Sequence, residues 1–262
     1  MAGHIAADEA GDPDAPLVVL VHGSMDRSAG MLRLSRRLDS RYCVARYDRR
    51  GYGRSHPHDG PFDMSYQVAD LLAVMAGRPA MVIGHSYGGN VALAAAARQP
   101  DLIVGVAIYE SPLSWEPWWP GTTAGAAAVA TQGDPADAAE QFMRRLIGST
   151  RWEALPQRTR DQRRAEGSAM VGELTDLRLH RPWAAQQITV PVVAGYGMNG
   201  AAHHQDGMSR LVESLPGSLL VGLAGCRHDA PLSHPDLFDR ELIVPLAAAV
   251  GGRWELSEPP AP

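Results

Sequence analysis

Apolar residues in this chain fall in short continuous runs rather than in strict alternation. Residues 17–21 read Leu-Val-Val-Leu-Val, and residues 81–83 read Met-Val-Ile. Stretches at 42–47, 102–109, 190–196 and 218–223 have the same character. Such β-branched runs predict strands covered on both faces, as in a parallel sheet. Between the runs the spacing becomes helical. Met31, Leu34 and Leu38 share one face of a helix predicted over 26–39. Val68, Leu71, Leu72 and Met75 share another, with Ser65 as its expected cap. Further helices are predicted from the turn at 84–89 to Arg98, at 205–215, and from His234 or Pro235 to Val250. A short edge strand is expected over 3–7, before the turn at Gly11-Asp12-Pro13.

Strands alternating with helices predict an α/β fold, a mostly parallel sheet flanked by helices. Ligands in such folds bind at the C-terminal ends of the strands. The alternation is lost between 112 and 187. Helices are predicted there at 123–131, 135–147 and 156–179, and Trp115, Trp118, Trp119, Trp152 and Trp183 cluster in the same stretch. It is too long for an unstructured loop. We expect a helical cap or lid at 112–187, inserted in a core domain formed by 1–111 and 188–262. The arginines of this stretch alternate with Asp and Glu, the pattern of a solvated, ion-paired face.

Composition narrows the chemistry. A net charge of -5 argues against nucleic acid or an anionic membrane as partner. Every basic residue is arginine, with no lysine. That excludes lysine Schiff bases and phosphate loops that need a lysine. Cys43 and Cys226 lie far apart, in no metal-binding spacing. Cys43 is expected in the core and Cys226 near a key histidine. No signal pattern or membrane-length apolar run is evident, so a cytoplasmic location is expected. Residues 255–262 are expected to fray.

The chemically richest stretch is Gly84-His85-Ser86-Tyr87-Gly88-Gly89. A strand is predicted before it and a helix after it. Gly-x-Ser-x-Gly in that context is a nucleophile elbow, where small residues flank a serine held in a strained turn. A serine hydroxyl needs a base, a third group to hold that base, and donors for an oxyanion. His228 follows the last predicted strand and is placed to act as the base. His22, His56 and His85 also lie near strand ends. His22 is expected to brace its loop, and His85 to face away from the site. His203 and His204 with Asp206 raise a metal reading, but adjacent histidines converge poorly on one ion.

With these motifs in view, the chain resembles the α/β-hydrolase superfamily, in its serine hydrolase (esterase/lipase-like) branch. The resemblance rests on His22-Gly23, Asp48-x-x-Gly51-x-Gly53-x-Ser55, Gly84-x-Ser86-x-Gly88-Gly89 and the late His228. It covers 17–110 and 188–250 and leaves the expected cap outside. It implies Ser86 as nucleophile and His228 as general base. It implies the backbone N–H groups of Ser24 and Tyr87 as the oxyanion hole, with Met25 as an alternative to Ser24. Each such donor is worth roughly 3–4 kcal/mol to a transition state. The serine at the elbow excludes the dehalogenase chemistry that uses aspartate there. No metal and no organic cofactor is implied.

One family feature is missing. The family usually carries its acid after the seventh strand, in a Gly-x-x-Asp turn. Here that turn reads Gly197-Met198-Asn199-Gly200. Some members carry the acid after the sixth strand, the position of the run ending at Tyr109. Glu110 stands there, in the chain order Ser, acid, His. It is the first choice for the acid of a Ser-His-Glu triad. Asn199 is the second and Asp206 the third, while Asp229 is badly placed to reach the ring of its neighbour His228.

The expected activity is hydrolysis of a small-to-medium apolar carboxylic ester, a small-molecule substrate, through an acyl-enzyme. Met25, Trp118 and Trp119 are the candidate pocket residues. A thioesterase, a carbon–carbon bond hydrolase and a cofactor-free perhydrolase would use the same groups. A non-catalytic ligand-binding member of the fold and a scaffold using the arginine-rich cap are the readings from other classes.

Overall fold

The computed structural model describes residues 4–131 and 133–254. Residue 3 of the expected edge strand and the tail at 255–262 lie outside the described residues. Strands β1 (Ala7–Ala10), β2 (Leu17–Val21), β3 (Cys43–Tyr47), β4 (Ala80–His85), β5 (Ile103–Tyr109), β6 (Val192–Gly197) and β7 (Leu219–Leu223) form one sheet. Their order across it is β1-β3-β2-β4-β5-β6-β7. Only β1 runs antiparallel to its neighbour.

The continuous apolar runs follow from two cores. Side chains alternate across a strand, so a strand buried on both faces must be apolar at every position. Leu17, Val19 and Val21 enter one apolar cluster, while Val18 and Leu20 enter the other. Helices α2 (Met64–Met75) and α3 (Tyr87–Arg98) cover the first face. Helices α1 (Leu32–Leu38) and α12 (Val244–Val250) cover the second. The fold is the mostly parallel α/β sheet that the sequence pattern predicts, in the arrangement that the resemblance to the α/β-hydrolase superfamily implies.

Between β5 and β6 lie α4 (Ala124–Ala130), α5 (Pro135–Ile147), α6 (Ser149–Ala154), α7 (Gln157–Ala165) and α8 (Gly167–Leu179). The family's sixth-strand position is thus the fifth of seven strands here. Phe142, Met143, Trp152, Met170 and Leu177 share one apolar cluster with Val21, Met25 and Tyr87. The helical segment therefore packs on the loops at the strand ends. Helix α9 (Ala202–Ser214) follows β6, and two short turns, α10 (Ala230–Ser233) and α11 (Pro235–Phe238), follow β7.

Several boundaries differ from expectation, each for a local reason. The helix expected at 26–39 begins with a tight turn, and its regular part is only α1. Asp63, not Ser65, caps α2, its carboxylate accepting from the Ser65 N–H. The helix expected at 156–179 breaks at Glu166. Gly167 packs so closely on α5 that a side chain there would lie 2.1 Å from the Pro135 carbonyl. The last helix is interrupted by a wide turn at Asp239–Ile243, where the buried Asp239 accepts from Arg37 and Arg41. Cys43 and Cys226 are both buried and unpaired. No helix among the described residues is long and apolar enough to cross a membrane.

Candidate active site

Ser86 sits between β4 and α3 with φ 53° and ψ −124°. A non-glycine residue there is strained, by about 1–3 kcal/mol. Packing around it leaves no room to relax. A side chain on Gly88 would lie 2.2 Å from the Val21 carbonyl. One on Gly23 would lie 2.9 Å from Ser86 Cβ and 3.5 Å from its Oγ. The loop after β2 is therefore pressed directly against the serine. Ser86 remains partly exposed, and its hydroxyl has no hydrogen-bond partner among the described residues.

Among the described residues, the backbone N–H groups of Ser24, Met25 and Tyr87, close to this serine, have no protein acceptor. Tyr87 and Met25 are buried, and a buried N–H without a partner is rare enough to mark a site for an incoming acceptor. Met25 itself takes φ 58°.

His228, in the loop after β7, points Nδ1 at Glu110 Oε2, 2.6 Å away. Glu110 is fully buried at the end of β5, with φ 49° turning its side chain from the strand toward β6. Its other oxygen accepts from the Gly197 N–H at 2.8 Å. Burial raises the Glu110 pKa, but the His228 bond, the nearby histidines and the Gly197 N–H outweigh it and hold the group below the usual carboxylate value. Asn199, Asp206 and Asp229 are all exposed, and none of them hydrogen-bonds His228. Glu110 also fills the space left at Gly200, where a side chain would lie 3.0 Å from Glu110 Oε1.

Two further histidines flank the His228 ring. His85 does not face away, as expected from its place in the elbow. Its ring centroid lies 4.6 Å from that of His228, and its Nε2 bonds the His228 carbonyl at 2.7 Å. On the other side His204 stacks at 4.9 Å and 17°, with Nε2 3.7 Å from Glu110 Oε2. Glu110, His204 and His228 thus offer three metal-ligand atoms within 4.8 Å of one another. The ring geometry fits a metal poorly. An imidazole lone pair lies in the ring plane, and two nearly parallel stacked planes do not converge on one ion.

These rings set an acid limit on stability. Burial, and then the neighbouring His228, hold both His85 and His204 down at about 3. Burial and then Arg49 hold His22 well below the usual value. Unfolded, all three titrate near pH 6.5. Below that the unfolded chain binds more protons, so stability is lost as pH falls below about 6.5, for His85 and His204 down to about 3. Each ring contributes up to about 1.4 kcal/mol per pH unit in that window. Thermal melts should show Tm dropping between pH 7 and pH 5, and a flat profile would show that these rings are not held neutral.

The loop at 48–55 is held as the sequence motif requires. Asp48 accepts from the Ser28 and Arg54 N–H groups, and Ser55 donates to the Asp48 carbonyl. His22 braces it by accepting from the Arg49 N–H at 2.9 Å. Two site residues carry no signal in the sequence. Glu173 of α8 pairs with Arg49 at 2.5 Å, both completely buried, and accepts from Ser24 Oγ at 2.6 Å. Arg163 of α7 donates to the Met25 carbonyl at 2.5 Å. The arginines of the helical segment were expected on a solvated face. Arg144 and Arg164 do pair there with Glu140, but Arg163 turns inward where α7 packs on the 24–26 loop.

The expected pocket residues are spread out. Met25 and Trp119 are buried in the large apolar cluster, and Trp118 lies under the Arg210 guanidinium. Trp119 stands edge-on to His203 and His204, with centroids 5.2 and 6.1 Å away. A cavity of about 670 Å³ opens instead among Arg27, Asp48, Arg54 and Glu166, and one of about 200 Å³ beside His58 and Phe62. Neither is lined by Ser86, His228, Met25, Trp118 or Trp119.

The chain is 30% identical over 243 residues to the pimeloyl-(acyl-carrier protein) methyl ester esterase of Chromobacterium violaceum, covering 87% of this chain and 92% of that protein. Its fold matches the enol-lactonase of Burkholderia xenovorans LB400 with a TM-score of 0.67 at 23% identity, over 90% of this chain and 94% of the other. A thermophilic esterase from Thermogutta terrifontis matches with a TM-score of 0.69 at 19% identity, over 90% of each chain. The profile described as "Alpha/beta hydrolase family" matches residues 18–241. The chain belongs to the alpha/beta hydrolase family.

Proposed function

We propose that this enzyme hydrolyses a small-to-medium apolar carboxylic ester through an acyl-enzyme on Ser86. The observation that carries the reading is the 2.6 Å bond from His228 Nδ1 to the buried Glu110 carboxylate. That bond fixes the proton on Nδ1 and leaves Nε2 as the basic nitrogen. Nε2 takes the proton of Ser86 as Oγ adds to the ester carbonyl. The resulting imidazolium is stabilised by Glu110. The carbonyl oxygen gains its negative charge beside the unpaired N–H groups of Tyr87 and of Ser24, or of Met25 in place of Ser24. His228 returns the proton to the leaving alcohol, and the Ser86 ester remains. Water, activated by the same nitrogen, then releases the acid.

The methyl ester esterase among the relatives supports an ester with a simple alcohol. Residues 112–187 serve as the cap in this reading, and Trp118 and Trp119 supply apolar surface beside the histidines. No step calls for a metal or an organic cofactor.

A fluorophosphonate probe tests the reading directly. Its phosphorus accepts a serine oxygen activated in this way, with loss of fluoride. Mass spectrometry should find the label on Ser86. A series of p-nitrophenyl esters of increasing acyl length should then show turnover that the label abolishes. Folded protein that takes no label and cleaves no ester would refute the proposal.

A further inference from the structure

We infer that Glu173 and Arg163, two side chains of the helical segment, are positioning residues that set the 24–26 loop as an oxyanion hole. The inference rests on the ester hydrolase reading above. Met25 holds φ 58° although it is not glycine. Such a conformation persists only where its surroundings over-determine it. Burial of the Met25 side chain and the close approach of Gly23 to Ser86 supply part of that restraint. Among the described residues, the one backbone bond within the loop is long, from the Asp26 N–H to the Gly23 carbonyl at 3.4 Å.

The polar restraint comes from α7 and α8. Glu173 Oε1 accepts from Ser24 Oγ at 2.6 Å and from the Tyr52 hydroxyl at 2.7 Å. Its charge is met by Arg49, whose guanidinium lies between the rings of Tyr52 and Tyr87. Arg163 Nη1 holds the Met25 carbonyl at 2.5 Å and is itself steadied by Glu166 at 3.5 Å. The peptide joining Ser24 to Met25 lies between these two anchors. Its plane, and so the direction of the Met25 N–H, is fixed from both ends. The neighbouring Ser24 N–H is fixed by the same hydroxyl anchor.

A pair serving only to hold helices on the core would show itself in stability alone. A positioning pair shows itself in the transition state. Ser24→Ala removes one anchor and leaves the Glu173–Arg49 pair whole. Arg163→Gln removes the other. Glu173→Gln strips Arg49 of its counter-charge and is expected to lower Tm as well, so it serves only as a supporting variant. The readouts are kcat and KM on a p-nitrophenyl ester, and inhibition by a trifluoromethyl ketone. The ketone adds Ser86 Oγ to its carbonyl carbon, and its oxygen takes the negative charge in the hole.

Ser24→Ala and Arg163→Gln should each lower kcat roughly 10- to 100-fold with KM little changed. Ketone affinity should fall by a similar factor. Ser24→Thr, which keeps the hydroxyl, should restore most of both. Wild-type kcat and ketone affinity in Ser24→Ala and Arg163→Gln, with only Tm reduced, would overturn the inference and leave the ester reading intact. A wild-type protein that neither cleaves the ester nor binds the ketone would overturn the ester reading, and this inference with it.

Discussion

Ser86→Ala is expected to lower kcat about 10⁶-fold on any ester the wild type cleaves. The serine oxygen forms the covalent bond of the proposed mechanism. Ser111 lies nearby, but its Oγ is packed against Gly89, within 1.8 Å of where a side chain on that glycine would stand. Residual activity should remain roughly 10³–10⁴-fold above water, because the N–H groups and His228 persist. Ser86→Gly separates chemistry from strain. It removes the same oxygen and also suits φ 53°, where serine is strained. Turnover should be equally low, while stability rises by about 1 kcal/mol or more. Kinetics on a p-nitrophenyl ester together with thermal melts check both. Retention of more than a few per cent of kcat in Ser86→Ala would remove Ser86 from the mechanism.

The sheet was legible because its physics is local. A strand buried on two faces must be apolar at every position, and β2, β4 and β5 declare themselves that way. The elbow was legible because close packing demands glycine at fixed offsets from Ser86. The resemblance to the α/β-hydrolase family rests on that elbow together with His22-Gly23, the loop at 48–55 and the late His228. What stayed hidden depends on contacts across long stretches of chain. Ser24 and Glu173 are separated by 149 residues, and Arg163 and Met25 by 138. No spacing rule marks an inward-turning arginine among the nine of residues 112–187. The break between α7 and α8 was hidden for a related reason. Gly167 reads as a tolerated helix residue until α5 presses against it. His204 and His85 were legible as histidines near strand ends, but their stacking on His228 depends on how α9 and the loop after β7 meet. Asp63 and Ser65 are both good caps two residues apart, and propensity alone does not choose between them.

Glu110→Gln should reduce kcat roughly 10³–10⁴-fold while leaving labelling of the folded protein at Ser86 slow but measurable. The amide is nearly the same size, so the Gly197 N–H still has an oxygen to meet. The loss is electronic. A glutamine can turn its NH₂ toward His228 Nδ1, which puts the ring proton on Nε2 and takes away the base. It also leaves the imidazolium without a counter-charge in a buried site. A structural role for Glu110 would predict a fall in Tm with little change in kcat. The space beside it provides a stricter check. Gly200 occupies the turn where the family usually carries its acid, and φ there lies outside the left-handed region. A carboxylate at 200 would enter the space Glu110 now fills. Gly200→Asp alone should therefore impair turnover, since two carboxylates crowd one histidine. Combined with Glu110→Ala, the same change should recover activity about tenfold or more over Glu110→Ala by itself, a coupling that only neighbouring groups show. Near-wild-type kcat in Glu110→Gln, with Asn199→Ala inactive, would move the orienting role to Asn199. Recovery in the double variant would show that the triad needs a carboxylate at His228 Nδ1, supplied in this chain from the end of β5.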